Sequence, residues 1–215
     1  MIVNNHYPSF FQWVVPMVNR YYFSDGHVEE DYVTEIVAGR FKSNTELVRV
    51  DAPLVESVGG DGNIFAPNGA FYRCKYLIDI NLPNAISIGS FVFQDCLRLT
   101  SIDLPKVNSF GSSVFLNCGS THLFLDGYTH DSTYLWAVLK DGALKYLRVG
   151  LTSTEAGTTT APRVTKDMRA ETVVLPSLTT MGNYMFGASS VANANQYIKR
   201  VCAANLNFNE VNKSR

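Results

Sequence analysis

A 22-residue interval governs the middle of this chain. Cys74, Cys96 and Cys118 keep that spacing, and Phe71, Phe93 and Phe115 precede them by three residues each. Leu77 and Leu99 follow the first two cysteines by three residues. Leu82-Pro83 and Leu104-Pro105 repeat at 22, and Leu175-Pro176 reappears later. Gly89, Gly111 and Gly182 lie six residues after those prolines, and Phe93, Phe115 and Phe186 lie ten after them. Such self-similarity is the mark of stacked coils. The period is too short for a strand plus a long helix. It fits one strand, a turn, and a short helical or irregular return. One such coil cannot bury its apolar side alone, whereas a stack buries it continuously.

The interval assigns faces. Leu77, Ile80 and Leu82 point inward in one coil, and Leu99, Ile102 and Leu104 in the next. Phe71, Phe93, Phe115 and Phe186 form an aromatic ladder on the far side of the core. Phe41, Asn44 and Leu47 begin an earlier copy, continued by Val50, Ala52 and Pro53. An insertion at Gly59-Gly60-Asp61-Gly62 and Pro67-Asn68-Gly69 reads as a protruding loop. Later coils run through Phe124 as an inward residue, then Leu144, Leu147 and Val149, then Ala170, Val173 and Leu175. A last weak strand spans Tyr197 to Val201. The expected fold is α/β or mainly β: a solenoid of six or seven parallel strands with short helical or irregular returns. The expected organisation is a cap over 1–40, an array over 41–204 with an irregular 127–169 region, and a polar tail over 205–215.

Within the cap, Asp25-Gly26 is expected to turn a hairpin after Tyr21-Phe23, and Glu29 to Ala38 to form a helix ending at Gly39. Asp131 to Lys140 has the spacing of a second short helix, and Leu151 to Arg163 reads as an extended loop. Phe10-Phe11 and Trp13-Val14-Val15 are more apolar than a free tail needs.

Charge is near balance overall, with 18 basic and 19 acidic side chains, but unevenly placed. Residues 1–126 hold 8 basic and 13 acidic residues, and 127–215 hold 10 and 6, giving −5 and +4. The two ends present different fields to a partner. Charged residues are 17% of the chain and aromatics 12%, which argues against disorder and against a generic polyanion binder. Arg163, Lys166 and Arg169, and Lys199 with Arg200, are too sparse for nucleic-acid recognition. No run of 18 apolar residues exists, and Met1 to Val18 lacks the basic start of a signal peptide.

Reactive constellations are weak. The sequence holds no G-x-S-x-G, Walker or dinucleotide fingerprint, so neither catalysis nor a cofactor is expected. The three in-line cysteines lack chelating pairs and read as reduced packing residues rather than a metal site. His122 and His130 flank Asp126 and Asp131, a pattern better explained as loop chemistry than as a divalent site. Outward strand positions form the candidate binding surface. One column is expected to hold Asp51, Asn81, Asp103, Leu125, Arg148 and Val174; its neighbour Arg49, Asp79, Ser101, Leu123, Tyr146 and Thr172. The first coils thus display an acidic and polar strip. The middle ones display Leu123, Leu125 and Tyr146, an apolar strip that needs cover from residues 131–140, another subunit or a ligand.

The run Leu77-x-x-Ile80-x-Leu82-Pro83, Ile88-Gly89, Phe93-x-x-Cys96 resembles the BspA-like leucine-rich repeat family, and Leu99 to Cys118 repeats it. The resemblance is close over 41–125 and looser over 142–202. It implies a non-enzymatic protein-binding or adhesion scaffold at a cell surface or secreted, since several members bind host proteins. Similar repeats in phage and mobile-element proteins imply an alternative, a structural module of a larger assembly. A carbohydrate-binding module is the remaining alternative.

Overall fold

The computed structural model describes residues 17–119, 121–125, 144–150, 171–181 and 198–206. Seven parallel strands stack in chain order: β4 (Leu47–Asp51), β6 (Asp79–Asn81), β8 (Ser101–Asp103), β10 (Thr121–Leu125), β11 (Leu144–Val149), β12 (Thr172–Val174) and β13 (Arg200–Cys202). Two more strands, β1 (Asn19–Phe23) and β2 (Val28–Asp31), extend the sheet to nine beyond β4. A second sheet of four short parallel strands joins β3 (Glu35–Ile36), β5 (Ser57–Val58), β7 (Ser87–Ile88) and β9 (Ser109–Phe110). The fold is a mainly β solenoid, and the described residues contain no helix.

The coils of β4, β6 and β8 leave the large sheet at Ala52-Pro53, Leu82-Pro83 and Leu104-Pro105 and enter the small sheet on the Ser-apolar pairs of β5, β7 and β9. Val58, Ile88 and Phe110 point into the core from there. Gly89 and Gly111 turn the next corner, where successive coils nearly touch. A Cβ on Gly111 would lie 2.2 Å from the Ser90 backbone nitrogen, and one on Gly89 would lie 2.3 Å from that of Gly60.

The return is a chain of turns, not a helix. Cys74 N donates to Phe71 O and Cys96 N to Phe93 O, three residues back. The residue before each cysteine is left-handed: Arg73 has φ 61°, Asp95 61° and Asn117 54°. That conformation aims its amide along the stack. Arg73 N donates to Gln94 O at 2.9 Å, and Asp95 N to Leu116 O at 2.9 Å. Phe71 N and Phe93 N reach Val92 O and Val114 O in the same way. Donors that a helix would use internally are spent between coils, so over residues 41–119 the return side of the solenoid, like its sheets, is laced along the axis.

The aromatic ladder forms as expected from Phe41 to Phe115. Ring centroids are 5.5, 5.7 and 5.7 Å apart along Phe41, Phe71, Phe93 and Phe115, all stacked. Phe186 lies outside the described residues. Beside the ladder, Cys74 donates its thiol hydrogen to Phe41 O at 3.0 Å, Cys96 to Phe71 O at 3.2 Å, and Cys118 to Phe93 O at 2.9 Å. All three are free and buried, and burial pushes the Cys74 thiol up to about 12. Asn44 holds the same place in the first coil, where its Oδ1 accepts from the Glu46 and Leu47 amides.

The hairpin closes this end of the ladder. β1 pairs antiparallel with both β2 and β4, and the Asp25-Gly26 turn has Gly26 at φ 88°. Tyr21 is wholly buried and lies 4.8 Å from Phe41. The Arg40 guanidinium covers both rings at 4.5 and 4.8 Å and pairs with Asp31 at 2.5 Å. Asn19 donates to Asp31 and to Val33 O, and accepts from the Leu54 amide. Burial alone raises an acid, but at Asp31 the hydrogen bonds from Asn19 and Arg40 and the Arg40 charge outweigh it and hold the carboxyl below its usual value.

Two expectations fail here. Residues 29–38 form no helix: Val28–Asp31 is β2 and Glu35–Ile36 is β3. β1 offers Val28–Asp31 a ladder of partners, and Ile36 is claimed by the core as the counterpart of Val58. Phe124 is not inward. Leu123 and Leu125 are wholly buried instead, because Leu123, not Phe124, pairs with Ile102. That coil spans 21 residues rather than 22, and a one-residue slip moves every side chain of a strand to the other face. The expected 131–140 helix and 151–163 loop lie outside the described residues.

Candidate binding surface

The nine-stranded sheet turns two rows of side chains away from the core. The first runs Val28, Tyr22, Arg49, Asp79, Ser101, His122, Tyr146, Thr172, Arg200. The second runs Glu30, Arg20, Asp51, Asn81, Asp103, Phe124, Arg148, Val174, Cys202. Period-two alternation produces them: from β1 to β12 the residues between belong to the core, whereas Glu29 and Val201, between the rows on the two end strands, are exposed.

Of the residues expected on this surface, Asp51, Asp79, Asn81, Ser101, Asp103, Tyr146 and Arg148 lie in the rows. Leu123 and Leu125 do not; the expected apolar strip is core. His122 and Phe124 take their places, and the 21-residue step to His122 was the available signal for them.

The rows divide into two chemical zones. Over β1 to β8 charges are mutually engaged. Arg20 Nε meets Glu30 at 2.8 Å, Arg49 Nε meets Asp79 at 3.4 Å, and Asn81 donates to Asp51 at 2.9 Å. Arg49 also lies 5.4 Å from the Tyr22 ring centroid. Such exposed pairs contribute little stability each, but they fix a pattern of charge. Asp79, Asn81, Ser101 and Asp103 are exposed. Over β10 and β11 an aromatic cluster follows. His122 and Tyr146 stack at 5.6 Å, Phe124 lies 5.6 Å from Tyr146 at a 48° tilt, and all three are half-buried.

Among the described residues no group of three or more His, Cys, Asp or Glu could hold a metal ion. Asp126, His130 and Asp131 lie outside them. No described helix is long and apolar enough to cross a membrane.

Residues 64–134 match the family model of the BspA type leucine rich repeat region, described as six copies. No curated protein and no solved structure matches the chain. The matched span contains Phe71 to Cys118, where the ladder, the thiol column and the left-handed positions recur coil by coil. The family match is confined to residues 64–134, and the stacked parallel strands of the described residues are those of a β solenoid, consistent with a leucine-rich repeat array.

Proposed function

We propose that this solenoid is a protein-binding scaffold that works through the two outward rows of its large sheet. The observation that carries the reading is the aromatic cluster of His122, Phe124 and Tyr146 set beside the exposed acidic strip of Asp79 and Asp103. Half-buried aromatics ringed by polar groups are the composition of an interface centre and its rim. The acidic strip favours a partner with a basic complement.

Protein is favoured over carbohydrate by ring orientation. His122 and Tyr146 stack on each other along the solenoid axis, so they present edges outward rather than the open faces a sugar ring needs. In the same reading residues 17–40 are the cap of the array, a role supported by Tyr21 and Arg40 at the end of the ladder. The described coils from residue 41 to residue 204 are, in that reading, the array.

The test is capture from surface or host extracts by the immobilised chain, followed by titration of the captured protein. Phe124→Ala with Tyr146→Ala is expected to abolish saturable capture while leaving the melt within a few degrees of wild type. Equal capture by the double variant rejects this surface. Absence of any saturable protein ligand rejects the function.

A further inference from the structure

We propose that copies of this chain join head to tail, β2 of one copy pairing with β13 of the next. The inference is independent of what binds the sheet face. β2 and β13 are the two end strands of the nine-stranded sheet. β1 runs antiparallel to β4, and β2 runs antiparallel to β1, so β2 recovers the direction of β4 and of the whole parallel stack. A copy translated along the stack therefore meets β13 with a strand that runs the same way. The joint is one more parallel pair, and nothing has to reverse.

The backbone groups are aimed for it. Arg200 N donates to Glu171 O at 3.1 Å and Cys202 O accepts from Leu175 N at 2.8 Å. Alternation along the strand turns the Val201 N–H and C=O to the outer side. On β2, Phe23 N donates to His27 O at 2.9 Å. Counting in twos, Glu29 and Asp31 bond to β1, and Val28 and Glu30 turn outward. In a parallel ladder one residue bonds to the two that flank its opposite number. Val201 opposite Glu29 would donate to Val28 O and accept from Glu30 N. β6 and β8, already joined inside the stack, are three residues each, no longer than β13.

Charge selects the pairing. β2 carries Glu29, Glu30 and Asp31, whereas Lys199 and Arg200 lie at β13, in keeping with −5 over residues 1–126 and +4 over 127–215. With their in-chain partners counted, Glu29, Glu30 and Asp31 beside Arg20 and Arg40 leave −1 at β2, and Lys199 and Arg200 beside Glu171 leave +1 at β13, so like ends repel weakly while unlike ends attract. Glu30 and Lys199 keep their in-chain partners Arg20 and Glu171, which orient both side chains without using the outward amides. The contact is heterologous, so it extends rather than closing as a two-fold dimer.

Sedimentation velocity of the full chain over a concentration series at low ionic strength tests this. The mass is expected to rise with concentration and to return to one chain at high salt. Glu30→Pro and Val201→Pro each remove an outward amide and leave the bonds to β1 and β12 in place. Each variant alone is expected to remain a single chain. Each keeps one working end, so an equal mixture is expected to form a two-chain species and nothing larger. A wild type that stays a single chain throughout overturns the proposal. So does assembly by either variant alone, or a mixture that remains single chains. Should a proline variant melt early, Lys199→Glu with Arg200→Glu replaces it; undiminished assembly by that variant also overturns the proposal.

Discussion

Replacing Phe93 by alanine removes the middle ring of the ladder. The ring is wholly buried, 5.7 Å from both Phe71 and Phe115, with interplanar angles of 5° and 17°. Truncating a buried phenylalanine costs about 3–5 kcal/mol through lost transfer energy and the cavity left behind. Backbone bonds on both sides of Phe93 pin the coils, so the site collapses poorly. Two stacked pairs are also lost, each contributing about 0.5–1.5 kcal/mol beyond area. The upper half of the range, about 4–5 kcal/mol, is expected. For a chain of this size that lowers the melting temperature by about 8–20 °C. Asp103→Ala lies on the exposed row and should stay within about 0.5 kcal/mol of wild type. Cys96→Ser falls between them, near about 1 kcal/mol, because Phe71 O is in place to accept the new hydroxyl. Urea and thermal melts of the three variants give the comparison. A neutral Phe93→Ala, or an Asp103→Ala more damaging than it, would refute the assignment of faces.

Thiol titration of the native chain should find Cys202 reactive and Cys74, Cys96 and Cys118 protected, with all four accessible after denaturation. Burial raises the three inner thiols, Cys74 to about 12. An acid raised on folding favours the protonated native state, so stability is full below the unfolded value of 9.0 and falls as pH climbs from there towards 12. Each thiol adds a slope of about 1.4 kcal/mol per pH unit in that window, and Cys74→Ala should remove one share of it. Asp31 has the opposite sign. Its lowered carboxyl contributes stability above 3.8 that is lost as pH falls through the folded value, and Asp31→Asn should flatten that acid limb in pH-dependent melts. Gly111→Ala should cost more than about 2 kcal/mol, since its Cβ meets backbone at 2.2 Å. Gly26→Ala, left-handed but with nothing within 4 Å, should cost only about 1 kcal/mol.

Legibility in the sequence followed the side chains that repeat. The ladder, the thiol column and the seven parallel strands all rest on apolar residues at one interval, and burial enforces that interval. The small sheet was not read because each of its strands is a two-residue pair, such as Ser87–Ile88, too short to show alternation. The left-handed column was hidden for a similar reason. Arg73, Asp95 and Asn117 share a backbone conformation, not a side-chain type. The error at Phe124 shows how far the candidate surface depended on counting. With Leu123, Phe124 and Leu125 in a row, hydrophobicity cannot choose the inner pair. Only the missing residue between Cys118 and the strand decides it.

Coils that touch only their neighbours open by peeling. A middle coil gives up two interfaces when it opens, and an end coil gives up one. Ile102 is sealed at 0% exposure, whereas Val201, its counterpart in β13, is 41% exposed. At the opposite end the Tyr21, Arg40 and Asp31 clasp adds contacts that recur in no inner coil among the described residues. Amide exchange should therefore run as a travelling front, fastest at β13 and slowest around β6 and β8, and a steady pull on the two ends should unwind the chain turn by turn from the C-terminal side.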